Sequence, residues 1–90
     1  MPRILYLIGR QGSGKSTLAG LIARGTSGGV AHLTPEEVPR KTSLNTLRVL
    51  HGAARLIIIE ANSLDEKLKA QLQPGDSLLH LETLTQMAAA

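Results

Sequence analysis

The sequence predicts an α/β fold of three layers, in which a parallel sheet of about four strands lies between helices. Segments of strand character alternate with segments of helical spacing, in the order β-α-β-α-β-α-β. One strand segment, residues 55–60, contains four consecutive aliphatic side chains, a pattern typical of strands buried on both faces of a parallel sheet. Strands and helices that alternate in this way pack with right-handed crossovers.

The first half of the chain contains two strands and one helix. Residues 3–8 form an apolar run of strand length, residues 16–24 have helical spacing, and residues 30–33 are a short strand segment. The next residues allow two interpretations. Thr34 and Glu37 fit a capping box that starts a helical turn. Alternatively, residues 36 and 37 are an acidic pair beside a bound phosphate; capping needs fewer assumptions and is preferred.

The second half continues the alternation. A helix is predicted from residue 42 or 43 to residue 54, and the strand 55–60 follows it. A second capping box, Ser63 with Glu66, starts a third helix, and residues 77–84 form the fourth strand. The predicted apolar stripes are Leu44, Leu47, Leu50 and Ala54 on the second helix, with Arg48 and His51 on or beside its polar side, and Leu64, Leu68 and Leu72 on the third.

Length and composition predict one small domain, residues 1–84, followed by a tail at residues 85–90. A chain of this size has a thin core and exposed sheet edges, which favours self-association. The formal net charge is +3 and the basic residues are scattered, so nucleic-acid binding is not indicated. Cysteine is absent, and no apolar run approaches the ~20 residues that a membrane span needs. We therefore expect a soluble, cytoplasmic protein without membrane contact.

The turn between the first strand and the first helix carries the strongest chemical signal. Its residues fit the pattern G-x-x-x-x-G-K-[ST], which requires a strand before it and a helix after it. Glycines let the backbone curve around an anion, so that successive N–H groups point inward, and the start of the helix adds its positive end. The predicted phosphate-binding residues are Gly9, Arg10, Gln11, Gly12, Ser13, Gly14, Lys15, Ser16 and Thr17.

Three side chains of this turn have separate predicted roles. Lys15 would neutralise the β- and γ-phosphates of a nucleotide and is the first catalytic candidate. The Ser16 hydroxyl would ligate Mg²⁺, and Thr17 could hydrogen-bond the α-phosphate. On these residues the sequence resembles the P-loop containing nucleoside triphosphate hydrolase superfamily, closely over the first quarter of the chain and more loosely beyond it. The resemblance implies a P-loop-like fold that binds ATP, or another nucleoside triphosphate, with Mg²⁺ as cofactor.

Glu60 is the second catalytic candidate. It ends an apolar strand, and this arrangement is similar to the second signature of P-loop proteins, four apolar residues followed by an acid. The strand would bring the carboxylate to the phosphates, where it could hold Mg²⁺ through a water or activate the attacking water. Many members of the superfamily place Asp-Glu here, whereas this chain has Ile59 before the acid and Ala61 after it. A single carboxylate for two roles implies slow turnover.

Several other polar side chains are weaker candidates. Glu82 and Thr83, at the tip of the fourth strand, could sense the γ-phosphate. The three histidines fit no metal-ligand spacing, and nothing in the sequence pairs with His32. An arginine supplied by another chain is a known device of the superfamily. The residues that could act in this way on a neighbouring subunit are Arg40, Arg48 and Arg55.

Three functions agree with these features. The first is ATP binding with Mg²⁺-dependent hydrolysis, slow in the single chain and completed by a second copy or by a protein partner. The second is a non-catalytic module that uses nucleotide or phosphate as a regulatory ligand. The third is a small kinase-like phosphotransferase, which the lack of room for an acceptor-binding insertion disfavours. Short members of the superfamily look like phage accessory proteins, which would place this chain in a host cytoplasm.

Overall fold

A computed structural model of the chain describes residues 2–10, 12–38 and 41–81. Its elements are β1 (Arg3–Ile8), α1 (Lys15–Gly25), β2 (Val30–Leu33), α2 (Leu44–Leu50), β3 (Leu56–Ala61), α3 (Glu66–Ala70) and β4 (Ser77–His80). The four strands form one sheet with the order β2-β3-β1-β4, and every neighbouring pair is parallel. The predicted α/β fold with a four-stranded parallel sheet flanked by helices is therefore confirmed.

The two faces of the sheet are covered by different helices. Successive side chains of a strand point to opposite faces, so each central strand contributes to two cores. One core contains Ile4, Tyr6, Ile8, Ile57 and Ile59 together with Leu44 and Leu47 of α2 and Leu68 of α3. The other contains Leu5, Leu7 and Ile58 together with Ala19 of α1 and with Leu81. The aliphatic run of β3 is accordingly buried from both sides.

The register of β1 and β3 brings the two chemical signals of the sequence together. These strands are the central pair, and Leu7 of β1 lies opposite Glu60 of β3. The chain leaves β1 at Gly9, whose N–H donates to Ala61 O at 3.1 Å. The strand order changes direction between β1 and β3, and the crevice at such a point is where open α/β sheets bind ligands. The glycine-rich turn and Glu60 therefore share one edge of the sheet.

The second helix is shorter than predicted. It ends at Leu50, and His51 N–H closes it with a hydrogen bond of 2.9 Å to Leu47 O before a turn that contains Gly52. Its first cap is the predicted Ser43, whose side chain accepts from the Thr46 N–H. Leu50 is the last residue of this helix and lies about 120° around the helix axis from Leu44. It is 68% exposed instead of facing the core, so this part of the predicted stripe is wrong.

Arg48 is buried, although it was expected on or beside the polar side of α2. Only 4% of the residue is exposed. Its guanidinium pairs with the Asp76 carboxylate, and Nη1 also donates to Pro2 O at 3.2 Å. A buried charge requires such partners, and here they come from Asp76, 28 residues away along the chain, and from Pro2, 46 residues away. The guanidinium of Arg48 is therefore engaged within its own chain.

Both predicted capping boxes differ in detail from the structure. The Thr34 N–H and hydroxyl donate to the Glu37 carboxylate at 3.0 and 2.9 Å, but residues 34–38 form a turn and no α-helix. The backbone hydrogen bond from Thr34, followed by that from its hydroxyl, lowers the pKa of Glu37. The cap of α3 is Asp65, which accepts from the Lys67 N–H, and not Ser63.

The fourth strand is described as far as His80. Residues 82–84, which complete the predicted strand and domain, and the predicted tail at residues 85–90 lie outside the described residues. Among the helices within residues 2–81 that the structure describes, none has the length and apolar character needed to cross a bilayer.

Candidate functional site

The described residues of the glycine-rich loop, 9–10 and 12–17, have a backbone suited to an anion. Gly12 and Gly14 have φ values of 84° and 92°, which L-residues with a side chain rarely adopt. Gly14 caps α1 without a side-chain hydrogen bond, and the first turn of this 11-residue helix contains no acidic residue. The N–H groups at the start of a helix need an acceptor, and the helix dipole favours a negative one. The start of α1 therefore favours an anionic group.

Lys15 is buried at the base of this loop. The residue is only 6% exposed, and its ammonium donates to Gly9 O at 2.6 Å and Arg10 O at 3.1 Å. A third hydrogen bond, of 3.2 Å, reaches Asn62 Oδ1, just after β3. A buried ammonium is stable only with acceptors on several sides. These three oxygens hold the charge of Lys15 at the predicted phosphate position.

Glu60 lies beside Ser16 at the same edge. The Ser16 hydroxyl donates to Glu60 Oε1 at 3.0 Å, with Oε2 at 3.4 Å. Glu60 is 2% exposed, and its Oε2 also forms a hydrogen bond with Nε2 of His32 on β2. A buried carboxylate thus has one partner from the loop helix and one from the neighbouring strand. This arrangement holds both carboxylate oxygens in fixed directions.

These groups surround a cleft of about 480 Å³. The described part of the chain gives it no aromatic lining residue, and Tyr6 is buried in the core, where its hydroxyl accepts from the Asp65 N–H. Burial raises the pKa of Tyr6. Glu36 lines the cleft, and the Glu37 carboxylate accepts hydrogen bonds from Thr34. The lining residues are Gly12, Gly14, Lys15, Ser16, Thr17, Thr34, Pro35, Glu36, Glu60 and Asn62.

The other predicted site residues are distributed around the cleft or lie outside the description. Gly9, the first residue of the loop, is buried, and Arg10 is exposed. Ser13 has a buried hydroxyl for which the described residues provide no hydrogen-bond partner. Gln11 and the sensor candidates Glu82 and Thr83 lie outside the described residues, as does Arg40.

Sequence reasoning missed two residues of this site, Asn62 and His32. Asn62 follows the predicted strand tip by two positions, and a polar side chain so close to Glu60 is a signal that could have been used. His32 gave no such signal, because its contact with Glu60 depends on β2 lying next to β3.

The donor set fits a small divalent cation at Ser16 and Glu60. Hydroxyl and carboxylate oxygens are the ligands that Mg²⁺ prefers, and it usually needs only one or two protein ligands beside substrate phosphates. Within the described residues no group of three or more histidine, aspartate and glutamate side chains could hold a metal ion.

We expect Gly9→Ala to destabilise the folded chain by about 1–3 kcal/mol. An added Cβ would lie 2.5 Å from Ser13 Oγ, 3.2 Å from Lys15 Cγ and 3.3 Å from Leu81 Cβ. Thermal unfolding measures the change. The matched control is Gly20→Ala in α1, where an added Cβ meets nothing within 4 Å, so this variant should be as stable as the wild type or more stable. Equal stability of the Gly9 and Gly20 variants would contradict the steric argument.

Comparison of the chain with models of known protein families, with curated proteins and with solved structures gives no match. The functional assignment therefore depends on the geometry of the cleft.

Proposed function

We propose that this chain binds a nucleoside triphosphate, in the first instance ATP, together with Mg²⁺ and hydrolyses it slowly. The observation that carries the proposal is that the buried Lys15 ammonium and the Ser16–Glu60 pair meet at one cleft, beneath a loop with a backbone suited to an anion. A phosphate chain in the cleft would receive hydrogen bonds from the loop N–H groups and charge from Lys15. All of these expected contacts are to the phosphates, and none of them is to the nucleobase.

Ser16 and Glu60 are the residues that would hold Mg²⁺, and the bound cation would neutralise charge on the phosphate oxygens. The Ser16 hydroxyl donates to Glu60, so the serine oxygen retains lone pairs for a cation. Lys15 would exchange the carbonyl oxygens of Gly9 and Arg10 for phosphate oxygens, which are stronger acceptors because they are charged.

Two features set the expected specificity and rate. The lack of an aromatic lining residue in the described cleft leaves the base without a stacking partner, which favours weak discrimination between nucleobases. Glu60 is a single carboxylate with both oxygens engaged, one by Ser16 and one by His32. It can serve a cation or orient water, and a second copy of the chain or a protein partner could supply the missing group. Hydrolysis that becomes faster per chain at higher concentration would indicate a second copy.

Lys15→Ala tests the binding step, and we expect ATP affinity to fall by about 10- to 100-fold, since a charge-assisted hydrogen bond contributes about 1.5–3 kcal/mol. Isothermal titration of ATP in Mg²⁺ measures this loss. Lys15→Met keeps the apolar stem and separates the loss of charge from the loss of packing. Lys69→Ala, which removes an exposed lysine of α3, is the matched control. Unchanged ATP affinity in both Lys15 variants, with folding intact, would falsify the proposal.

A second candidate function, transfer of a phosphoryl group to a small acceptor, is favoured by a second cavity. This cavity measures about 680 Å³ and adjoins the cleft, because Glu60, Asn62 and Pro35 line both. It lies among the existing elements, so an acceptor needs no inserted segment. Lys41 and Lys67 line it and suit an acceptor with an anionic group. ADP release that increases with phosphorylated alcohols, without free phosphate, would favour transfer over hydrolysis.

A further inference from the structure

The position of His32 follows from the pairing of β2 with β3. His32 lies opposite Ile58, and Glu60 is two residues further along β3. Residues two apart on a strand share a face, so His32 and Glu60 are diagonal neighbours on the face that α1 covers. This distance is within reach of long side chains, and the imidazole Nε2 meets Glu60 Oε2. The contact joins the edge strand of the sheet to the cation-binding carboxylate.

The surroundings of the pair distinguish the two partners. The His32 side chain is 31% exposed, whereas that of Glu60 is 2% exposed. His32 does not line the cleft, while Glu60 does. The histidine therefore contacts the carboxylate from outside the cleft. It does so at Oε2, the oxygen that is farther from the Ser16 hydroxyl. Such a residue acts through Glu60 and does not touch the ligand.

We propose that His32 is a positioning residue for Glu60, which fixes the carboxylate so that its Oε1 faces Ser16 and the pair is ready for a divalent cation. The proposal rests on the proposed function of the cleft. Nε2–H donates to Oε2 and occupies that oxygen, so the carboxylate cannot turn away from Ser16. Residues that orient metal ligands by hydrogen bonds change metal affinity by about 10- to 100-fold when they are replaced.

The test uses His32→Leu, which removes the hydrogen bond, and His32→Gln, which keeps an N–H donor of similar reach. The measured quantity is the ratio of ATP affinities in excess Mg²⁺ and in EDTA, obtained with a fluorescent, slowly hydrolysed ATP analogue. We expect His32→Leu to lower this ratio by about 10-fold and His32→Gln to retain most of it. In EDTA all variants should bind alike, because the loop and Lys15 are unchanged. The control is His51→Gln at the end of α2, since His51 lines neither of the two cavities.

A double-mutant cycle shows whether His32 changes the affinity ratio through Glu60. If His32 acts through Glu60, then His32→Leu should lower the ratio no further in a Glu60→Gln background. The proposal is overturned if His32→Leu leaves the affinity ratio unchanged, or if it lowers ATP affinity equally with and without Mg²⁺. It is also overturned if His32→Leu lowers the ratio as much in the Glu60→Gln background as in the wild type. Failure of the wild type to bind ATP in either condition would instead reject the proposed function.

Discussion

Glu60→Gln should lower phosphate release by about 10²- to 10⁴-fold while ATP still binds, the range observed when a positioned acid–base group is lost. Glutamine has nearly the same shape, so its carbonyl oxygen can still accept from Ser16 and the loop keeps its geometry. The charge is lost, however, and with it both the attraction for a cation and the ability to take a proton from water. Phosphate release under single-turnover conditions measures the chemical step without product release.

The control for this experiment is Glu66→Gln, an exposed acid in the first turn of α3. This variant changes the net charge by the same amount as Glu60→Gln, but away from the cleft. Its rate of phosphate release should equal that of the wild type. Equal turnover in the Glu60 variant and the wild type would remove Glu60 from the reaction. If the wild type binds ATP and releases no phosphate at all, the chain is a nucleotide-binding module that does not hydrolyse, and the single, doubly engaged carboxylate explains why.

The sequence could predict those parts of the site that local patterns determine. The glycine spacing accounts for the left-handed backbone at Gly12 and Gly14, and the apolar run of β3 leads directly to Glu60. Both lie at carboxyl ends of parallel strands, so their proximity follows from the fold class. These predictions need only short segments and the general rule that parallel strands end at one edge.

The contacts that sequence reasoning missed depend on the spatial order of the elements. His32 meets Glu60 only because β2 lies beside β3, and the alternation of strands and helices is compatible with other strand orders. Arg48 is the corresponding case in the core. Its charge led to the prediction that it lies on or beside the polar side of α2, although it is four positions from the buried Leu44 and shares that face. Its burial becomes understandable only with Asp76 opposite it.

The pair of Arg48 and Asp76 has a structural role on the α2 and α3 side of the sheet. Both side chains are 3% exposed. Asp76 Oδ1 also accepts from Ile4 N at 3.0 Å, and Oδ2 accepts from Gln73 N at 2.8 Å. One carboxylate therefore connects the start of β1, the second helix and the turn before β4. Burial by itself would raise the pKa of Asp76, but the Arg48 guanidinium and these backbone N–H groups hold it below its ordinary value of 3.8.

Asp76→Ala should therefore destabilise the fold by about 3–5 kcal/mol at pH 7, because it leaves the buried Arg48 charge without its partner. Since the folded-state pKa of Asp76 is lowered, its contribution is present above the unfolded value of 3.8 and is lost as the pH falls through the folded value. Urea unfolding should accordingly show a large difference from the wild type at neutral pH that narrows below about pH 3.8. Asp65→Ala is the control, since losing the exposed cap of α3 should lower the free energy of unfolding by only about 1 kcal/mol. Equal effects of the two substitutions, or a difference independent of pH, would show that the carboxylate does not stabilise the folded chain through its charge.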